Sequence, residues 1–232
     1  MSTFNKTTKL MRKYNDEHDI ITDVISGFCR KFNDVIPTDL LRMIYQYYFT
    51  IYFDRENHGT YITFKDDYTI KQEYFDYWYR ICISKVLISS DIFRIFSWET
   101  KIQDYSKSNS IDVFIGFIEA PISLSVKHWD VHLCADNNTS EHQYGVYLTA
   151  DEEYPWFYGN NEYGKKIQAI KHTVSVGDII KWEINFKQNT ASIYINNVYK
   201  GIIFNEIPNK LYPAVSLYNA HVCLGSISYK MK

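Results

Sequence analysis

A strict alternation of apolar and polar residues over positions 180–187 most constrains how this chain can fold. The apolar members are Ile180, Trp182, Ile184 and Phe186, and the intervening positions are all polar. A period of two puts one face of a β-strand in a core and the other in water, which is typical of an antiparallel sheet. The next strand pattern ends at Asn196-Asn197, and because Asn tolerates a positive φ, this pair predicts a two-residue hairpin turn.

Short segments rich in β-branched and aromatic residues recur along residues 51–232, with turn residues between them. Clear examples are 61–64, 79–83 and 112–117. Short strands joined by turns, without helices between them, are typical of a β-sandwich. The chain is 46% hydrophobic and 22% charged, so it can bury a sizeable core and is not intrinsically disordered. We expect an all-β fold, a bent antiparallel β-sandwich.

Residues 1–50 show a different pattern and predict one or two N-terminal α-helices. Apolar residues recur at helical spacing within 16–33 and again within 37–48. We therefore divide the chain into a helical extension, 1–50, and a β-domain, 51–232. Residues 36–48 resemble the opening of an F-box, whose helix docks on an adaptor. The preferred interpretation is that the helices cover the sandwich, because strands begin within a few residues.

Charge, cysteine spacing and hydropathy exclude several classes of protein. The net charge of −2 gives no general basis for binding nucleic acid. The four cysteines are far apart, without a CxxC pair that would indicate a zinc ribbon or a disulfide framework. The N-terminus lacks a signal-peptide pattern, and no apolar run is long enough for a membrane span. We expect a cytoplasmic monomer without a membrane association.

The catalytic and metal motifs that we considered are absent, so we expect no enzyme and no cofactor. His128, Asp130, His132 and Cys134 alternate along one predicted strand face, but same-face neighbours lie about 6.5–7 Å apart and cannot all reach one ion. A sandwich glycosidase would need two facing carboxylates. The dense acidic run 151–153 falls in a predicted loop instead.

Several motifs resemble the SPRY domain family in order and spacing over about residues 55–232. They include Gly177-Asp178, the strand ending at Asn196, Gly201 and the run Leu-Tyr-Pro-Ala-Val-Ser at 211–216. Further upstream, Trp98-Glu99, Ile115-Gly116-Phe117, Gln143-Tyr144-Gly145 and Tyr163-Gly164 also fit the family pattern. The chain departs from it at Trp182, where a small residue or Val is usual, and at Asn197, which replaces a turn Gly.

The resemblance implies a sandwich of two antiparallel sheets that binds other proteins through loops at one end. Comparison with the branch of the family that carries a SOCS box implies a peptide pocket in this chain. Its positions are Gln72, Tyr74, Ser110, His128 or Trp129, and Asn219. The Arg and Trp of that pocket are not matched here, so the resemblance implies a shared cleft with a different ligand.

The aromatic and acidic segment 151–161 supplies a second candidate surface, with Tyr154 and Trp156 at the rim of the cleft. The alternative is a purely structural role, in which these rings fold back onto the sandwich. The function that the sequence favours is a non-enzymatic module that binds a protein or peptide partner. A substrate-recognition adaptor of a ubiquitin ligase and a glycan-binding, lectin-like protein are the alternatives.

Overall fold

The computed structural model describes residues 51–72, 80–105, 112–120, 143–149, 156–159, 162–166, 170–218 and 220–231. All regular secondary structure in these ranges is β-strand, and every strand pairing is antiparallel. The predicted all-β sandwich is therefore confirmed. The predicted helices of residues 1–50 lie outside the described residues and stay a prediction.

The strands form two sheets. In spatial order, the first sheet contains β1 (Phe53–His58), β4 (Arg80–Ser84), β14 (Lys210–Tyr218), β7 (Asp112–Glu119), β8 (Gln143–Thr149), β9 (Trp156–Gly159) and β10 (Glu162–Lys166), and β5 (Ile88–Ser89) pairs with the start of β14. The second contains β13 (Val198–Phe204), β12 (Thr190–Ile195), β11 (Ile179–Asn185), β6 (Phe93–Tyr105), β15 (Ala220–Met231), β3 (Thr69–Gln72) and β2 (Ile62–Phe64). The two strands latest in the chain are thus interior strands, β14 between β4 and β7, and β15 between β6 and β3.

Aromatic rings from both sheets meet in the core. Phe117 of the first sheet makes edge-to-face contacts with Trp98, Trp182 and Phe204 of the second, at centroid distances of 5.7–6.3 Å. Trp182 also stacks on Trp98 at 6.5 Å and on Phe204 at 6.0 Å. Offset and edge-to-face pairs of this kind add to the free energy of burial. The unusual Trp182 is therefore the central piece of the interface between the sheets.

The hairpin between β12 and β13 forms as the sequence predicts. Asn196 and Asn197 have φ values of 52° and 64°, the left-handed conformation that a two-residue turn requires at both positions. Ile180, Trp182 and Ile184 are buried and alternate with half-exposed neighbours along β11. The expectation that Phe186 extends this buried face is wrong. β11 ends at Asn185, and Phe186 is half-buried in the turn to β12, where its N–H donates to the Arg94 carbonyl at 3.0 Å.

Three small residues lie side by side across the middle of the first sheet. Gly116 on β7 pairs with Gly145 on β8 and with Ala214 on β14. A Cβ at position 116 would overlap the carbonyl oxygen of Tyr144 and lie 2.5 Å from the Cα of Gly145. The Ile-Gly-Phe motif is thus explained by backbone packing within the sheet.

Candidate functional site

The strand pairings bring most of the predicted pocket segments to one end of the sandwich, which we call the Tyr218 end. Tyr218, the last residue of β14, pairs with Asp112, the first residue of β7. Ala220, the first residue of β15, pairs with Tyr105, the last residue of β6. Segments 106–111 and 219, which carry Ser110 and Asn219, are therefore attached to strand ends at the Tyr218 end.

The segment that carries Tyr74 is attached at the same end. It follows β3, which ends at Gln72, and on that strand Lys71 pairs with His221 near the start of β15. Thr149, the last residue of β8, pairs with Asp112, so the segment that carries Tyr154 also leaves from the Tyr218 end. The chain then re-enters the sheet at Trp156, which pairs with Tyr147 of β8.

His128 and Trp129 belong to a segment that is attached at the other end of the sandwich. β7 and β8 pair there through Ile118 and Gln143, and segment 121–142 connects them. Eight extended residues span about 27 Å, which is also about the length of the eight-residue β7. His128 and Trp129 could therefore reach the Tyr218 end only if the chain ran nearly straight along the sandwich from Ala120.

Gln72 is the predicted pocket residue whose side chain the structure describes. It pairs with Ile62 on β2 and is 1% exposed. Because its side chain is buried, Gln72 could contact a partner only if the end of β3 moved to expose it. For Trp156 the structure describes only the backbone, so its role in the pocket stays a prediction. The remaining predicted positions lie outside the described residues and also stay predictions: Tyr74, Ser110, His128, Trp129, Tyr154 and Asn219.

A hydrogen-bond network centred on Asp178 fixes the β12–β13 turn, which lies on the second sheet towards the Tyr218 end. Its Oδ2 accepts hydrogen bonds from His172 Nε2 at 2.7 Å and from the Ser175 N–H at 2.8 Å. Its Oδ1 accepts from Asn196 Nδ2 at 2.8 Å, and Asn196 Oδ1 in turn accepts from the Ile179 N–H. The network joins residues 172–178 to the β12–β13 turn. Sequence reasoning singled out Asp178 and Asn196 but missed His172, because no local pattern marks it.

The pKa of Asp178 lies below its ordinary value of 3.8 despite burial. Burial alone would raise the pKa, but the hydrogen bonds from Asn196, Ser175 and His172 stabilise the charged form and outweigh it. A depressed pKa in the folded protein stabilises the fold above the unfolded value, and this stabilisation is lost as the pH falls through the folded pKa.

We expect Asp178→Asn to reduce the free energy of unfolding by about 1–3 kcal/mol at pH 7, because the carboxylate oxygen Oδ2, which accepts from His172 Nε2 and from the Ser175 N–H, is lost. The difference from the original protein should narrow as the pH falls below 3.8 towards the lowered pKa of Asp178, because protonation removes the charge that these hydrogen bonds stabilise. Urea denaturation followed by circular dichroism at several pH values measures both effects. Glu206→Gln, at an exposed carboxylate, is the control and should change stability little at any pH. A gap for Asp178→Asn that stays constant down to pH 3 would contradict this account.

The described residues show no constellation for metal binding or thiol chemistry. No group of three His, Cys, Asp or Glu side chains within the described ranges could hold a metal ion. Cys82 is a free thiol, and its full burial raises its pKa well above the usual range, which makes it a poor nucleophile. No helix in the part of the chain that the structure describes could cross a membrane.

Comparisons with known proteins agree with the geometry. The crystal structure of the SPRY domain of human HERC1 matches 74% of this chain and 96% of its own, with a TM-score of 0.54 at 15% identity. The crystal structure of the TRIM65 PSpry domain matches 84% of this chain and 100% of its own, with a TM-score of 0.51 at 13% identity. No curated protein sequence shows significant similarity. The SPRY domain model matches residues 95–227, more than half of the chain. This protein therefore belongs to the SPRY domain family.

Proposed function

We propose that this chain is a non-enzymatic interaction module that binds a protein or peptide partner through the segments at the Tyr218 end. The observation that carries the proposal is that four chain segments, 73–79, 106–111, 150–155 and residue 219, are attached to this one end by the strand pairings. Loops on a rigid sandwich are where recognition is usually located. SPRY domains are generally interaction modules, which supports the same conclusion.

The ligand we propose is an extended peptide that lies near Tyr74, Ser110 and Asn219, with Tyr154 and Trp156 at the rim. Aromatic side chains supply contact area, whereas Ser and Asn supply the donors and acceptors that a bound peptide backbone needs. The Asp178 network supports this surface by restraining the neighbouring β12–β13 turn. A cytoplasmic location and a monomeric state remain predictions from the sequence.

We expect Tyr74→Ala and Asn219→Ala, both in segments attached at the Tyr218 end, to weaken partner binding while leaving the melting temperature nearly unchanged. Truncating a hot-spot side chain typically costs about 2 kcal/mol, which is roughly thirtyfold in affinity. Affinity capture with the full chain, followed by mass spectrometry, would identify proteins retained by the original bait and lost with the double variant. Titration of one such partner against each single variant then gives the fold-change.

Matched controls are available on the described surface. Tyr68→Ala removes a 43% exposed ring from the turn between β2 and β3, away from the Tyr218 end, and Asn205→Ala removes an exposed amide that follows β13. Both should retain the partner. The proposal fails if the two cleft variants bind as the original protein does, or if they lose binding only because they unfold.

A further inference from the structure

The end of the sandwich opposite the Tyr218 end, which we call the Arg94 end, contains an open cavity of about 410 Å³. Its lining comes from three connections and one strand: Ser90, Arg94, Phe186, Lys187 and Asn209. Pockets that bind small ligands commonly have volumes of roughly 300–1,000 Å³, so this cavity is large enough to receive a group rather than only water.

Backbone hydrogen bonds hold the walls of the cavity in place. The Ser90 N–H donates to the Asn209 carbonyl at 2.8 Å, and the Phe186 N–H donates to the Arg94 carbonyl at 3.0 Å. Asn189, which has a φ of 57°, accepts a hydrogen bond from the Ile207 N–H through its side chain at 3.3 Å. The β11–β12 turn is thereby tied to the segment that precedes Asn209. The cavity is formed by restrained segments.

The cavity carries two positive charges, and no group in the described ranges neutralises either of them. Arg94 and Lys187 are exposed, and neither forms an ion pair within the described residues. Among the described residues that line the cavity, none carries a carboxylate. The nearest acid in sequence, Asp91, accepts a hydrogen bond from the Ser89 hydroxyl at 3.2 Å and does not line the cavity.

The two other polar lining side chains are also unengaged. The Ser90 hydroxyl and the Asn209 amide make no side-chain hydrogen bond within the part of the chain that the structure describes. With Arg94 and Lys187, they make four lining side chains that can donate hydrogen bonds to a group in the cavity. A local positive site of this kind stands out in a chain whose net charge is −2. The chemistry that fits it is an anionic acceptor.

We propose that this cavity binds a carboxylate-bearing peptide segment of a protein partner. A guanidinium group offers a planar fork of donors that matches a carboxylate in a bidentate geometry, and Lys187 adds a second charge. The half-buried ring of Phe186 provides an apolar wall for the aliphatic part of the residue that carries the carboxylate. This site lies at the other end of the sandwich from the proposed cleft and does not depend on the cleft binding a ligand.

The test uses the full chain and a labelled peptide of alternating Glu and Gly with an amidated C-terminus, measured by fluorescence anisotropy at low salt. We expect binding that the matching Gln–Gly peptide lacks. Arg94→Gln and Lys187→Gln should each lower the affinity about fivefold, which corresponds to about 1 kcal/mol, and the double variant should lower it about twentyfold. A neutral peptide with a free C-terminus tests whether one terminal carboxylate is enough for binding to the cavity.

Lys101→Gln is the matched control, because Lys101 is exposed on the same strand as Arg94 and lies about 23 Å away along it. It should change the affinity less than about twofold. The backbone amide signals of Ser90 and Asn209 should shift on titration in a nuclear magnetic resonance spectrum. Equal losses for Lys101→Gln, equal binding of the Gln–Gly peptide, or unchanged binding by the Arg94 and Lys187 variants would overturn the proposal.

Discussion

Replacing Gly116 with alanine is expected to leave the protein unable to form a stable first sheet. A Cβ at this position would overlap the carbonyl oxygen of Tyr144 and lie 2.5 Å from the Cα of Gly145. Both atoms belong to the backbone of β8, which pairs with β7 along its whole length, so they cannot move aside without breaking that pairing. Overpacking of a well-packed interior costs about 1–3 kcal/mol and sometimes more, and we expect this backbone overlap to exceed the upper value.

Far-UV circular dichroism and urea denaturation of Gly116→Ala provide the measurement. Gly225→Ala is the matched control, because the nearest atom to its new Cβ is the side-chain Cβ of half-exposed Glu99 at 3.0 Å. A shift of a few tenths of an ångström between the two strands relieves this contact, so we expect a loss below about 1 kcal/mol. A Gly116→Ala protein as stable as the Gly225→Ala protein would show that β7 and β8 are not packed as described.

The second large effect is expected for Trp182→Ala, which should reduce the free energy of unfolding by about 3–5 kcal/mol. Trp182 is fully buried and its ring contacts Trp98, Phe117 and Phe204. Its indole Nε1 has no hydrogen-bond partner among the described residues, so the loss measures packing and burial rather than a broken hydrogen bond. Urea denaturation monitored by far-UV circular dichroism measures this loss, because the signal does not rely on tryptophan fluorescence.

Two further variants separate packing from aromatic content. Trp182→Phe keeps an apolar ring in the core and should recover part of the loss, because the cavity that it leaves is smaller. Tyr199→Ala removes a ring that is 54% exposed and contacts Tyr194, and it should cost less than about 1 kcal/mol. If Trp182→Ala cost no more than Tyr199→Ala, the aromatic cluster would not be the centre of the core.

The sequence predicted the fold well where local chemistry and burial agree. The alternation in β11 marks the face that Trp182 buries, and two Asn residues in succession define the turn at 196–197. Phe186 was assigned to the core because an apolar residue continued the alternation. The alternation cannot reveal that β11 ends at Asn185, since a period of two says nothing about the turn that Asn185 closes through hydrogen bonds with Gln188.

The candidate site was less predictable, because a loop position is set by the strands that flank it rather than by its own sequence. Ser110 and Asn219 were aligned to one pocket, and the strand pairings attach their segments to one end. The same alignment included Trp129, although its segment is attached at the opposite end. The cavity beside Arg94 carries no local motif at all. Its lining comes from positions between Ser90 and Asn209 that only the folded chain brings together.

The interior placement of β14 and β15 has a consequence for biosynthesis. Without β14, the β1–β4 pair is separated from β7, and without β15, the β2–β3 pair is separated from β6. A ribosome delivers these two strands after all the others, so neither sheet can close while residues before Lys210 are emerging. The nascent chain must therefore hold unpaired strand edges until residues 210–231 have emerged, a period in which aggregation competes with folding. Completion of this sandwich is a late event, and a chaperone that covers strand edges would act on it before the last two strands arrive.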